Sequence, residues 1–137
     1  MKKNVFKMRN LLVFIGLICF NISLYSQEET KKNEKFARHF SYVSFFKDGK
    51  WEEPIKRNST FVFNINDNGD VLLYLPNGDK KYFRSISSVT EHKIDKGIKV
   101  QAVEILDEDG DELLLFLYEN GVLVLAYNKD SMIRFHP

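Results

Sequence analysis

Leu113-Leu114-Leu115-Phe116-Leu117-Tyr118, then Glu119-Asn120-Gly121, then Val122-Leu123-Val124-Leu125-Ala126-Tyr127: two apolar runs joined by a short turn decide how this chain folds. Asn before Gly is a strong hairpin cue, because Gly takes a positive φ without steric cost. Neither run alternates apolar with polar residues, so both faces of the hairpin are apolar and both require cover. The same punctuation recurs at Asp48-Gly49, Asn68-Gly69, Asn77-Gly78, Lys96-Gly97 and Asp109-Gly110. None of these glycines falls inside an apolar run.

Working outward from the hairpin, strands are expected at Phe40 to Phe46, Thr60 to Asn66, Val71 to Leu75, Lys81 to Ile86, Val89 to Ile94, Lys99 to Leu106 and Met132 to Phe135, besides the two runs themselves. Phe61, Phe63 and Ile65 alternate with Asn64 and Asn66, as in a strand with one wet face. No segment after residue 40 has a helical period. The sequence predicts an all-β protein: an antiparallel up-and-down meander of about eight to ten short strands, closed into a small barrel or a strongly curved sheet. A β-sandwich is the alternative. Gly49-Lys50-Trp51 resembles the G-x-W of lipocalins, which are barrels that hold apolar ligands. In that family the motif opens the first strand, whereas here an apolar strand precedes it. The resemblance therefore implies a barrel by analogy and carries no function with it.

The chain has 137 residues, enough for one domain with a targeting segment. With 20 Lys+Arg against 19 Asp+Glu, its charge gives no reason to expect a nucleic-acid partner. Lys2, Lys3, Lys7 and Arg9 form a basic start, followed by an apolar run from Leu11 to Phe20. As a helix those ten residues rise only about 15 Å, half of a roughly 30 Å hydrocarbon core. A signal peptide over residues 1–26, cut between Ser26 and Gln27, is the expectation, with no membrane span left after its removal. The basic start and the Ser-Gln junction resemble export signals of Bacteroidota, which implies a bacterial periplasmic or secreted protein. Ile18 before Cys19 is too large for a lipoprotein signal, so lipid anchoring is not expected. Cleavage would remove four basic residues and no acid, taking the formal charge from +1 to −3. It would also remove Cys19, the one cysteine, so the mature chain would have no disulfide and no thiol chemistry. Residues 27–39 read as a polar tether or short helix, and residues 40–137 as a single β domain.

The motifs carry little chemistry. Asn64, Asn66, Asn68 and Gly69 match the early positions of a calcium loop, but Leu75 stands where the bidentate Glu belongs. The run Asp107 to Glu112 reads as a solvated hairpin tip. His39, His92 and His136 are far apart in sequence, and no nucleotide-binding or nucleophile-elbow motif is present. Catalytic residues, metal ligands and cofactors are accordingly expected to be none. Arg84 shares a strand face with Tyr82 and Ile86; it lies on the surface if Phe83 points inward and meets a ligand carboxylate if Tyr82 does.

Two functions remain. A non-enzymatic binding module would hold an apolar or amphipathic small molecule, with Trp51, Tyr82 and Arg84 as candidate ligand residues. A protein-interaction or structural module would use the apolar hairpin 113–127, with Leu114, Phe116, Leu123 and Leu125 as candidate interface residues, or an edge strand, and a homodimer is one form of it.

Overall fold

The computed structural model describes residues 34–137; the expected export signal, Cys19 and residues 27–33 of the expected tether lie outside the described residues. The strands are β1 (Phe36–Lys47), β2 (Lys50–Trp51), β3 (Ile55–Phe63), β4 (Val71–Tyr74), β5 (Lys80–Ser85), β6 (Thr90–Lys93), β7 (Lys99–Leu106), β8 (Glu112–Tyr118), β9 (Leu123–Asn128) and β10 (Ser131–His136). Every pairing is antiparallel. The sheet runs β10-β9-β8-β7-β5-β4-β3-β1, and β1 then pairs with β10 from Tyr42↔His136 to Phe46↔Met132. That last pairing closes an eight-stranded barrel, which settles barrel against sandwich. β2 continues beyond β1 as an outer strand, and β6 pairs with β7.

The turns explain the glycines. Leu75, Ile94, Asp107 and Tyr118 each donate the N–H to the carbonyl four residues on and accept from the Gly three residues on. This is a three-residue hairpin loop in which the Gly supplies the left-handed bulge position. At Gly121 φ is 91°, a conformation that L side chains avoid. Asx bonds such as Asp109 N–H to Asp107 Oδ1 (3.0 Å) and Val122 N–H to Asn120 Oδ1 (3.1 Å) hold the tips.

Besides the unexpected β2 and the start of β3 at Ile55 in place of Thr60, two differences bear on the site. β1 begins at Phe36, so residues 36–39 are strand rather than tether or helix; Phe36, Arg38 and Phe40 pair with Phe63, Phe61 and Ser59. β3 ends at Phe63 instead of Asn66, because Asn64 adopts φ 56° and turns the chain before Ile65.

Inside the barrel Phe40, Phe61 and Phe135 meet edge to face, with ring centroids 4.9 to 5.9 Å apart. Phe83, Ile105 and Leu123 are fully buried beside them. Each such side chain contributes about 2–3 kcal/mol by leaving water. A bulge between Phe40 and Tyr42 lets both Phe40 and Val43 face the core while Tyr42 faces out.

Ser59 sits opposite Phe40, and its hydroxyl is buried without a hydrogen-bond partner among the described residues. An unmade buried hydrogen bond is a standing cost that deletion of the group relieves. Ser59→Ala is therefore expected to leave stability unchanged or raise it by up to about 1 kcal/mol in urea unfolding; a loss above that amount would mean that the hydroxyl has a partner.

Candidate functional site

The two ends of the barrel are built differently. Hairpins 75–79, 107–111 and 128–131 close one end tightly. At the other end lie the turn 64–70, the connection 86–89, the hairpin 118–122 and the start of β1. β5 leaves β7 after Ser85↔Ile105, and β6 rejoins β7 only at Thr90↔Ala102. β10 stops opposite Tyr42, so β1 runs on from Phe36 to Ser41 without β10 beside it. The barrel wall is thus interrupted around this mouth.

A pocket of about 150 Å³ opens there. Phe36 and Phe63 form one wall, stacked at 4.7 Å and 15°. Val103, Leu115 and Leu117 form the opposite wall, with Val71 between and Val89 from the connection. Its polar lining comes from Asn64 and Gln101. The Asn64 amide donates to the Glu34 carbonyl (3.1 Å), whereas the exposed Gln101 amide makes no side-chain hydrogen bond among the described residues. Nothing from β5, β9 or β10 reaches the lining.

The turn that supplies Asn64 and Gly69 is pinned by Asp70, which is buried and ionised. Its Oδ2 accepts from the Tyr82 hydroxyl and from Asn66 Nδ2 (2.8 Å), and its Oδ1 accepts from the Ser85 N–H (2.9 Å). Burial alone would push this carboxyl up. The hydrogen bonds from Asn66, Tyr82 and Ser85, helped by the charge of Arg84, hold it below the ordinary value of 3.8 instead. The same bond raises the Tyr82 phenol. The Asn66 side-chain oxygen accepts from the N–H groups of Asn68 and Asp70. Asn66, at the centre of the stretch that resembled a calcium loop, thus spends its side-chain oxygen and amide on the turn itself.

The ligand residues expected from sequence do not line this pocket. Phe83 points into the core, which puts Tyr82 and Arg84 on the outer surface of β5. Trp51 lies on β2, outside the pocket lining, beneath the Arg134 guanidinium (3.7 Å to the ring centroid) and edge-on to Phe46. The expected interface residues divide. Leu123 and Leu125 belong to the barrel core and cannot form an outer face. Leu114 and Phe116 face outward in register with Ala126 and Val124. Leu114 (7% exposed), Val124 (6%) and Ala126 (3%) are buried all the same, as the doubly apolar hairpin required.

The fold brings together one pair that sequence spacing did not reveal. Ser44 and His136 share a hydrogen bond between Oγ and Nε2 (3.0 Å) on the outer face of β1 and β10. Burial and then the Arg134 charge lower the His136 pKa, so the imidazole is neutral near pH 7. A general base must become an imidazolium, which that arginine opposes. Ser44 is also 1% exposed, so the pair is built for packing rather than for attack.

No protein-family model matches the sequence, and no solved structure matches it. The DNA gyrase B polypeptide of Spiroplasma citri is 28% identical over 140 residues, covering 92% of this chain and 20% of that protein. The chain spans about one fifth of the length of this curated relative, and a likeness so partial carries no function.

Asp70→Asn is expected to lower stability by about 2–3 kcal/mol at neutral pH, because it leaves donors aimed at a weaker acceptor. A carboxyl whose folded pKa is depressed contributes its stability above the unfolded value and loses it as pH falls through the folded one. The gap between wild type and variant should therefore narrow below about pH 3.8 in thermal melts taken across pH. A gap that stays constant to pH 2 would show that Asp70 acts by shape alone.

Proposed function

We propose that this protein is a non-catalytic binding module that holds a small apolar or amphipathic molecule in the mouth pocket. The apolar pocket at the open end of the barrel carries this reading: it is concave, walled by aromatic and aliphatic side chains, and edged by a few polar groups. Its size sets the class. A cavity of about 150 Å³ accommodates a benzene-sized group, roughly six carbons, and not a whole lipid. The occupant is therefore a short-chain or single-ring compound, or the end of a longer chain.

Thermal melts of the full-length chain against straight-chain alcohols of increasing length test this. A saturable rise in melting temperature is expected, growing with chain length and levelling once roughly six carbons are buried. Val103→Phe, which fills the pocket from β7, is expected to abolish that rise while retaining a cooperative melt. No rise with any chain length would overturn the reading.

A second reading rests on the composition of the outward face of β8 and β9, which is apolar at Leu114, Phe116, Val124 and Ala126. If that face meets another chain, Leu114→Glu will turn an associated protein into a folded monomer in sedimentation analysis. A variant that fails to fold, from a wild type already monomeric, would assign the face to internal packing.

We further take the protein to be exported, on the strength of residues 1–26. N-terminal sequencing of protein recovered from the envelope or medium of a bacterial host is expected to begin at Gln27. A product that keeps Met1 would refute cleavage.

A further inference from the structure

Resting on the reading of the mouth pocket as a binding site, we infer that its ligand is an anion, a small carboxylate whose head is held by Arg38 while its apolar tail enters between Phe36 and Leu115.

The register places Arg38 on the inner side of β1. It pairs with Phe61, stands between Phe36 and Phe40 on the same strand face, and so projects toward the lumen side at the mouth. Its guanidinium lies 5.0 Å from the centroid of the Phe36 ring, and Phe36 lines the pocket. The stack continues from Phe36 to Phe63 and then to Phe61. No carboxylate among the described residues lies within ion-pair distance of this lumen-side cation. Its sole hydrogen bond among the described residues is a 3.3 Å contact with the carbonyl of the adjacent Ala37. Most of the guanidinium N–H groups therefore have no partner among those residues, although the fork is suited to a carboxylate. Of the two polar residues in the lining, Asn64 donates to the Glu34 carbonyl and Gln101 makes no side-chain hydrogen bond among the described residues. A guanidinium beside the mouth of an apolar pocket selects a molecule with an anionic end and a short tail.

Arg38 thus takes the place that sequence reasoning gave to Arg84. The difference is one of surroundings: Arg84 faces outward beside Asp70, while Arg38 faces the pocket side with no carboxylate paired to it among the described residues.

The test compares hexanoate with 1-hexanol, equal in tail and different in head, by ¹H–¹⁵N chemical-shift titration of the full-length chain and of Arg38→Gln. Arg38 is exposed, so its replacement leaves the core untouched, and an unchanged spectrum outside the mouth verifies this. Both probes are expected to shift the amides of Val71, Val103 and Leu115, with hexanoate binding about tenfold more tightly at low salt. That preference is expected to vanish in Arg38→Gln while hexanol binding is kept. Equal affinities in the wild type, or a hexanoate preference that survives in the variant, would overturn the anion inference and leave the pocket standing. If neither probe shifts those amides, the binding reading itself falls, and the inference with it.

Discussion

The closure of the sheet on itself is the constraint from which the rest follows. β1 is paired along β3 on one side and β10 on the other, and it can serve both because of the bulge near Ser41. Below the bulge Val43 and Phe45 face inward opposite Phe135 and Ile133. Above it Phe36, Arg38 and Phe40 face inward opposite β3 alone. Without the extra residue, one half of β1 would turn its aromatics to water. With it, Phe40 meets Phe61 and Phe135 in the centre, and the upper half of the strand is free to form one wall of a pocket.

The two ends of the barrel express a division of labour between tight turns and long connections. At the end closed by hairpins 75–79 and 107–111 the core reaches the turns, with Leu73 and Leu113 buried beside them. Where β5 breaks off and β10 stops short, the upper layer lacks side chains from three of the eight strands, and space remains. Asp70 keeps that space in shape. A buried charge would be a liability alone, but three donors arranged by the Asn66 turn and β5 make it a fixed post between two elements.

Much of this was legible in the sequence, and the reasons are local. Asn120-Gly121 and its counterparts revealed the strand order because turn chemistry is written in adjacent residues. Phe83 among Tyr82 and Arg84 identified a strand with alternating faces. The run Leu113 to Tyr118 announced cover on both sides, and Leu113, Leu114 and Leu115 are all buried. The pocket was not legible, since its lining comes from separate segments that only barrel closure brings together. Arg38 was missed for another reason. Phe36, Arg38 and Phe40 do alternate with Ala37 and His39, but they follow a run of charged residues that masks the strand period. Ser44 and His136 are 92 positions apart and meet only because the first strand pairs with the last.

That first-to-last pairing also sets a schedule for synthesis. A nascent chain that has not yet released Ser131–His136 carries two unsatisfied sheet edges, one on β1 and one on β9. Its aromatic centre is open, because Phe135 comes last. Contacts between residues so far apart in sequence are slow to form, and exposed edges are sticky while they wait. The barrel therefore commits at β10: until those six residues arrive the sheet stays open, and once they arrive the β9 edge and the β1 edge from Tyr42 to Phe46 are covered together.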